Sequence, residues 1–276
     1  MTSTSSSAAR VASRRQSTSW PFAVGGLIGI LGGLIGLGGA EFRLPLLMAL
    51  FGFAALQAVI LNKAMSLVVV IAALPARAFA VPWNDVADHW WIAANLLAGS
   101  MVGAWAAAGW ATRMHSRTLH RTLALLLVAI AVVLAGTHYA ELGSLDIPAG
   151  PRAIVGVLAG VLIGMVAAFM GVAGGELLIP TIVLIFGADI RLAGSLSLLV
   201  SLPTMLVAFT RYSRDSAFTV LHQNLRFLAL MGAGSIAGAV VGGALLQYVA
   251  SPALIAALAL ILLVSAAKVW RHSEDS

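Results

Sequence analysis

Long apolar segments separated by short polar loops fill most of the chain. They run approximately over 20–37, 42–53, 55–80, 89–111, 119–138, 152–170, 176–187, 192–210, 225–248 and 252–270. All but the second and the seventh approach the ~20 residues that an α-helix needs to cross a membrane. The apolar runs are continuous, whereas the strands of an outer-membrane barrel alternate apolar and polar residues. The pattern therefore predicts an all-α, polytopic membrane protein.

The composition agrees with a chain embedded in lipid. Of the 276 residues, 61% are hydrophobic and 9% are charged, against roughly a quarter charged in soluble proteins. The absence of cysteine excludes disulfides and thiolate metal sites. A net charge of +6 would suggest a nucleic-acid partner in a soluble protein. Here the basic residues concentrate in short loops and tails, so we expect the lipid bilayer, and no nucleic acid, as a partner.

The two short segments are one feature that occurs twice. A shift of the chain by 135 residues places Gly36, Gly39, Glu41, Pro45 and Phe51 on Gly171, Gly174, Glu176, Pro180 and Phe186. The same register places Ser66 on Ser201 and Gly99 on Gly234. Chance agreement between apolar sequences comes from Leu and Ala rather than from these residue types. The register therefore predicts a tandem duplication.

The charges of the loops predict how the two halves lie in the membrane. Loop 112–121 carries three arginines and is expected to be cytoplasmic, whereas loop 139–147 carries two acids and no base and is expected to be external. In the second half the basic residues lie in 211–222 and near the C-terminal end, so equivalent loops face opposite sides. This pattern predicts two inverted-topology repeats with both termini cytoplasmic. Each half then has an odd number of crossings, either three plus a broken, re-entrant helix pair or five.

The predicted organisation has five parts. Residues 1–19 form a disordered cytoplasmic N-terminal tail, which lacks the apolar core of a secretory signal. Residues 20–138 are the first transmembrane repeat, 139–151 an external linker, 152–270 the second transmembrane repeat, and 271–276 a cytoplasmic C-terminal tail.

The two glycine motifs are expected to break helices inside the membrane. Broken helices at matching places of inverted repeats indicate the central site of a transporter, and non-helical backbone is tolerated there only within protein or beside a water-filled cavity. Glycine permits the reversal, proline is tolerated in the first turn of the next helix, and the free N–H groups of that helix suit a small anion. The candidate residues are Gly38, Gly39 and Glu41 in the first motif and Gly174, Gly175 and Glu176 in the second.

Other glycines are expected only to allow close helix packing. Gly25 and Gly29, Gly99 and Gly103, and their copies have the Gly-x-x-x-Gly spacing that lets two membrane helices approach at backbone distance. Packing alone does not explain why the two motifs continue each time with Glu and then Pro at a fixed spacing.

Glu41 and Glu176 are candidates for proton coupling because each lies inside otherwise apolar sequence. Burial disfavours the charged form of a carboxyl group, so either glutamate is able to carry a proton. The equally weighted alternative is a helix cap, in which the carboxylate accepts hydrogen bonds from free N–H groups of the first turn. The two roles are compatible.

Further polar candidates lie in the helices that follow the two motifs. Asn62 and Ser66 are four residues apart and share a helix face. Lys63 lies deep in the same apolar segment, where the sequence leaves open whether it pairs with Glu41 or contacts an anion. The second half carries Ser197 and Ser201 at the places of Asn62 and Ser66. No catalytic, metal-binding or cofactor-binding set occurs at membrane depth, so we expect no enzyme activity, no metal and no cofactor.

The paired glycine motifs, each followed by a proline and a short segment that ends in Phe-Gly, resemble the sulfite exporter TauE/SafE family over roughly residues 20–270. The resemblance implies a multi-pass transporter of anionic, often sulfur-containing compounds such as sulfite or small sulfonates. We therefore expect a secondary transporter of a small anion in the cell (inner) membrane, with an uncoupled anion channel and a non-transporting scaffold subunit as the alternatives. The coupling ion, the direction of transport and the oligomeric state stay open.

Overall fold

The computed structural model of the protein describes residues 17–35, 39–80, 83–139, 147–245 and 251–272. Most of the predicted N-terminal tail, residues 140–146 of the predicted linker and residues 273–276 lie outside these ranges. Within them the α-helices are α1 Ser19–Ile35, α2 Ala40–Ala49, α3 Ala55–Ala80, α4 Trp83–Asp88, α5 Trp90–Ala111, α6 Ser116–Tyr139, α7 Ala149–Met170, α8 Gly175–Phe186, α9 Ile190–Tyr212, α10 Thr219–Gln223, α11 Leu225–Leu245 and α12 Ser251–His272.

The helices of the two halves begin at equivalent positions, in agreement with the predicted duplication. The first residues of α2, α3, α5 and α6 are each 135 residues before the first residues of α8, α9, α11 and α12. The described residues contain no strand. In the described part of the chain, six helices are long and apolar enough to cross a membrane, namely α3, α5, α6, α7, α9 and α11. The prediction of a helical, multi-pass membrane protein is confirmed.

Two helix pairs pack at backbone contact through glycines, and both pairs join one half of the chain to the other. A Cβ atom added to Gly29 of α1 would overlap the Ser235 carbonyl oxygen of α11, and one added to Gly99 of α5 would overlap the Val157 carbonyl oxygen of α7. The predicted packing role of these glycines is therefore confirmed. The first helix of each half packs against the fifth helix of the other half, so the two halves interlock.

Equivalent helices α6 and α12 run in opposite directions. The guanidinium carbon of Arg121, near the start of α6, lies 5.6 Å from the ring centre of Trp270, near the end of α12. An antiparallel pair of equivalent helices agrees with an inverted repeat. The inverted orientation of the two halves as wholes stays a prediction.

Both broken helix pairs fold as hairpins. Gly174, at the start of α8, lies against Ile163 and Ala167 of α7, whereas Phe186 at the end of α8 reaches Gly156 near the start of α7. Helix α8 thus runs back along α7. In the first half, Gly39 lies against Ile28 and Gly32 of α1.

Phenylalanines anchor the far ends of the two short helices. Phe51, two residues after α2, contacts Phe227 of α11 edge-to-face with 4.8 Å between ring centres. Its counterpart Phe186 contacts Trp91 of α5 in the same geometry at 5.5 Å. Each short helix therefore ends against the first turn of a long helix, α2 against α11 and α8 against α5.

Candidate functional site

Glycines in the left-handed region make the reversal at the two helix breaks. We call the break between α1 and α2 the first bend and residues 171–174 the second bend. Gly39 has φ 70° and its copy Gly174 has φ 85°, and each precedes the first residue of a short helix. Gly171 has φ 69°. Residues with a Cβ disfavour these values, which explains why glycine occupies the motif. Gly38 lies outside the described residues.

The prolines of the motifs lie one turn later than predicted. Pro45 and Pro180 are the sixth residues of α2 and α8, so the expectation of a first-turn position is wrong. A proline inside a helix removes the amide that would bond to the carbonyl four residues earlier. Those carbonyls belong to Glu41 and Glu176. The fixed Glu-x-x-x-Pro spacing thus leaves one backbone acceptor without its usual helical donor in each short helix.

Asn62 of α3 connects the two bends directly. Its side-chain Nδ2 donates to the Ala40 carbonyl at the first bend and to the Met170 carbonyl at the second bend, both at 2.9 Å. Its Oδ1 accepts a hydrogen bond from Nη1 of Arg43 at 3.5 Å. The side chains of Asn62 and Arg43 are completely buried. A single amide therefore holds both chain breaks and one cation in the same place.

Lys63 contacts the second bend rather than Glu41. Its Nζ donates to the Ala167 carbonyl at 2.7 Å and to the Val172 carbonyl at 2.8 Å. Both carboxylate oxygens of Glu41 lack a hydrogen-bond partner, so the pairing of Lys63 with Glu41 that the sequence allowed is not formed. Because the last carbonyls of a helix have no helical donor, a buried ammonium group here stabilises the end of α7.

Glu41 is buried in the first turn of α2. The residue is 2% exposed, and neither carboxylate oxygen accepts a hydrogen bond. The choice between a capping and a proton-carrying role of Glu41 stays a prediction. Its copy Glu176 is half-buried, and Oε2 of Glu176 is also without a partner. Unpartnered buried oxygens in equivalent places of both halves need a ligand, a proton or water.

The serine candidates divide into two kinds. Ser66 and its copy Ser201 are buried, and their hydroxyl groups have no hydrogen-bond partner. Ser197 instead donates to the Gly194 carbonyl at 2.8 Å, within its own helix α9. Ser66 and Ser201 therefore retain free hydrogen-bonding capacity, whereas the donor of Ser197 is already used.

Comparison with known proteins agrees with this architecture. The family model described as "Sulfite exporter TauE/SafE" matches residues 1–134 and 137–274. The chain belongs to the TauE/SafE family. No curated protein and no solved structure matches it. The resemblance inferred from the glycine motifs is confirmed, and with it a membrane transporter family rather than an enzyme family, whose partners are a small solute and the lipid bilayer.

Sequence reasoning missed one residue of this TauE/SafE site. Tyr212, the last residue of α9, is completely buried, and its hydroxyl donates to the Ala168 carbonyl at 3.0 Å. Together with Asn62 and Lys63, it completes a set of side-chain donors from α3 and α9 that satisfies the last turn of α7. The only signal in the sequence is a hydroxyl-bearing aromatic residue beside Arg211 at a helix end, which is equally typical of a membrane interface.

Proposed function

We propose that the protein is a secondary transporter that moves a small sulfur-containing anion, of the sulfite or organosulfonate type, across the cell (inner) membrane. The observation that carries the proposal is the hydrogen bonding of Asn62 to both bends, beside buried polar atoms that have no partner. Buried unsatisfied groups are costly within protein. A transporter retains them because its solute satisfies them in each cycle.

The electrostatics of the site suit an anion. Arg43 and Lys63 bring two cationic side chains to the bends, and both are completely buried. The first backbone hydrogen bonds of α2 and α8 are accepted by Gly39 and Gly174, so the amides at the start of each short helix are without helical acceptors. Cationic side chains and helix N-termini together favour negative charge. We infer that the solute binds to these amides and to the hydroxyl groups of Ser66 and Ser201.

Glu41 and Glu176 are the proposed coupling groups. An ionised carboxylate next to the site would repel an anion, whereas a protonated one would not, so the solute and a proton would bind together. Both carboxylate oxygens of Glu41 are buried without a hydrogen-bond partner, which disfavours the ionised form. The proposed cycle therefore moves an anion with a proton and requires no further ion.

The site is closed in the structure, which favours alternating access over an open pore. Glu41, Ser66 and Ser201 are at most 3% exposed. A solute reaches them only if the hairpins move relative to α3 and α9. We propose that the two hairpins open in turn, one toward each side of the membrane, with both termini of the chain in the cytoplasm.

The test is uptake of sulfite, a small sulfonate and acetate into proteoliposomes that contain the full-length protein. We expect a proton gradient to drive accumulation of the sulfur anions but not of acetate. Glu41→Gln and Glu176→Gln should abolish gradient-driven accumulation while one-for-one exchange of the solute continues. Glu141→Gln, in the predicted linker, is the matched control and should behave as the unchanged protein does.

Each other outcome rejects a defined part of the proposal. Flux that is independent of the gradient and unchanged in both glutamate variants indicates an uncoupled anion channel. No flux of any anion, with the protein folded, indicates a scaffold subunit. Uptake of acetate at the same rate as sulfite contradicts the assignment of a sulfur-containing solute.

A further inference from the structure

A second basic site lies between the C-terminal ends of α5 and α9, where Arg211 precedes Tyr212 in the chain. A cavity of about 360 Å³ opens there and is lined by Trp105, Ala106, Gly109, Trp110, Arg113 and Arg211. We call it the arginine–tryptophan pocket. None of the lining residues takes part in the contacts around Asn62 and Lys63. The pocket therefore needs an explanation of its own.

Two arginines are positioned around one tryptophan of this pocket. The guanidinium carbons of Arg211 and Arg214 each lie 5.2 Å from the ring centre of Trp105. Nε of Arg211 is buried and has no hydrogen-bond partner. The nearest acid in sequence, Asp215, accepts a hydrogen bond from the Ala217 amide at 2.8 Å. An oriented guanidinium with a free buried donor, in a lining without an acid, is suited to an anion that offers several acceptor oxygens.

The equivalent positions in the other copy of the repeat carry no arginine. At a shift of 135 residues, the lining positions become Val240, Val241, Ala244, Leu245, Tyr248 and Ala76. No arginine is present among them, although the surrounding helices are duplicated. The arginines of the pocket are therefore not a requirement of the repeated fold.

The surroundings of the pocket suit a lipid better than a free ion. Trp105 and Trp110 are 41% and 57% exposed, as is typical of tryptophans at the level of lipid headgroups. Val102 on α5 and Leu206 on α9 lie about one turn deeper and expose apolar side chains. A headgroup held by the arginines would thus continue into acyl chains on an apolar surface.

We propose that the arginine–tryptophan pocket binds the phosphate group of an anionic phospholipid. The loops that carry these arginines are the ones predicted to be cytoplasmic, and basic pockets between helices on that side bind anionic lipid headgroups. Arg211 and Arg113 would donate to the phosphate oxygens. Gly109 leaves the space in which the Arg211 side chain lies, because an added Cβ would be 2.9 Å from its Nε and 3.0 Å from its Nη2.

The experiment measures thermal unfolding of the full-length protein in detergent with added phosphatidylglycerol, phosphatidylcholine or inorganic phosphate. A ligand of the folded state raises the unfolding temperature, so we expect an increase with phosphatidylglycerol alone. Lipid titration should show about fivefold weaker phosphatidylglycerol binding for each of Arg211→Gln and Arg113→Gln, since one basic residue at the membrane surface contributes roughly that factor. Arg191→Gln changes the same charge at the opposite end of α9 and should leave binding unchanged.

Gly109→Leu tests the geometry without changing the charge. The nearest atoms to an added side chain all belong to Arg211, so the variant should fold, displace the guanidinium and weaken binding of phosphatidylglycerol. If Arg211→Gln does not fold, Gly109→Leu and Arg113→Gln decide the question. Equal stabilisation by phosphatidylcholine, or equal loss in Arg191→Gln, would overturn the proposal. Stabilisation by inorganic phosphate that the pocket variants abolish would show a site for soluble anions and would also overturn it.

Discussion

The side-chain amide of Asn62 donates both of its protons to backbone carbonyls, one at each bend. A bend inside a membrane protein interrupts helical hydrogen bonding where water is scarce, so each free carbonyl needs another donor. Lys63 and Tyr212 add side-chain donors to the Ala167 and Ala168 carbonyls at the end of α7, which also accept hydrogen bonds from backbone amides. At the scale of the residue, the polar side chains near the bends have a structural role in addition to any contact with a solute.

Asn62→Ala tests this structural role. The substitution removes three buried side-chain hydrogen bonds, two to backbone carbonyls and one to Arg43, and we expect the free energy of unfolding to fall by about 3 kcal/mol. Unfolding of the purified protein in mixed micelles with increasing denaturing detergent measures the change. The control is Asn95→Ala, which removes one amide-to-carbonyl bond between α5 and α7 and should cost about 1 kcal/mol. Equal losses in the two variants would contradict the central position of Asn62.

At the scale of the element, the two hairpins depend on glycine for different reasons. Gly39 and Gly174 provide the positive φ that begins each short helix. Gly171 provides a positive φ and also close contact with another helix, because a Cβ there would overlap the Val59 carbonyl oxygen of α3. The second bend and α3 are therefore in backbone contact, directly beside Asn62 and Lys63.

Gly171→Ala should accordingly be among the most damaging substitutions of a glycine by alanine in the described part of the chain. The left-handed conformation alone costs about 1–2 kcal/mol, and the overlap with α3 adds a similar amount. Thermal unfolding in detergent measures the loss of stability. Gly243→Ala is the control, since a Cβ there meets nothing within 4 Å, and alanine in the α11 helix should stabilise by up to about 1 kcal/mol. Comparable stability of the two variants would show that the bend tolerates a Cβ.

At the scale of the whole molecule, the first helix of each half packs against a helix of the other half. Helix α1 packs on α11, and α7 packs on α5, so neither half completes its own packing. Helices α6 and α12 add a third contact between the halves, in antiparallel orientation. A pair of interlocked halves with equivalent hairpins is suited to alternating access, because each hairpin is able to move against the same central helices α3 and α9.

Labelling of single cysteines tests the inverted orientation. Ala54 and Asp189 are equivalent, exposed residues directly before α3 and α9, and the natural chain has no cysteine that would add background. With an impermeant thiol reagent and sealed membrane vesicles, we expect Ala54→Cys to react from the cytoplasmic side and Asp189→Cys from the external side. Reaction of both from the same side would exclude the inverted repeat and, with it, the proposed transport cycle.

The sequence by itself determined the features that depend on local pattern. Apolar length defines a membrane helix, and a glycine motif marks a reversal, so the long helices and the two bends were predictable from residues close together in the chain. The duplication was predictable from the register of 135 residues between matching motifs. The partners of Asn62 and Lys63 concern something else, namely which donor bonds to which acceptor. Asn62 and Met170 are 108 residues apart, and no local pattern shows that they meet. Only the tertiary structure decided these pairings, because a carbonyl released by a bend accepts from whichever donor the packed helices bring within reach.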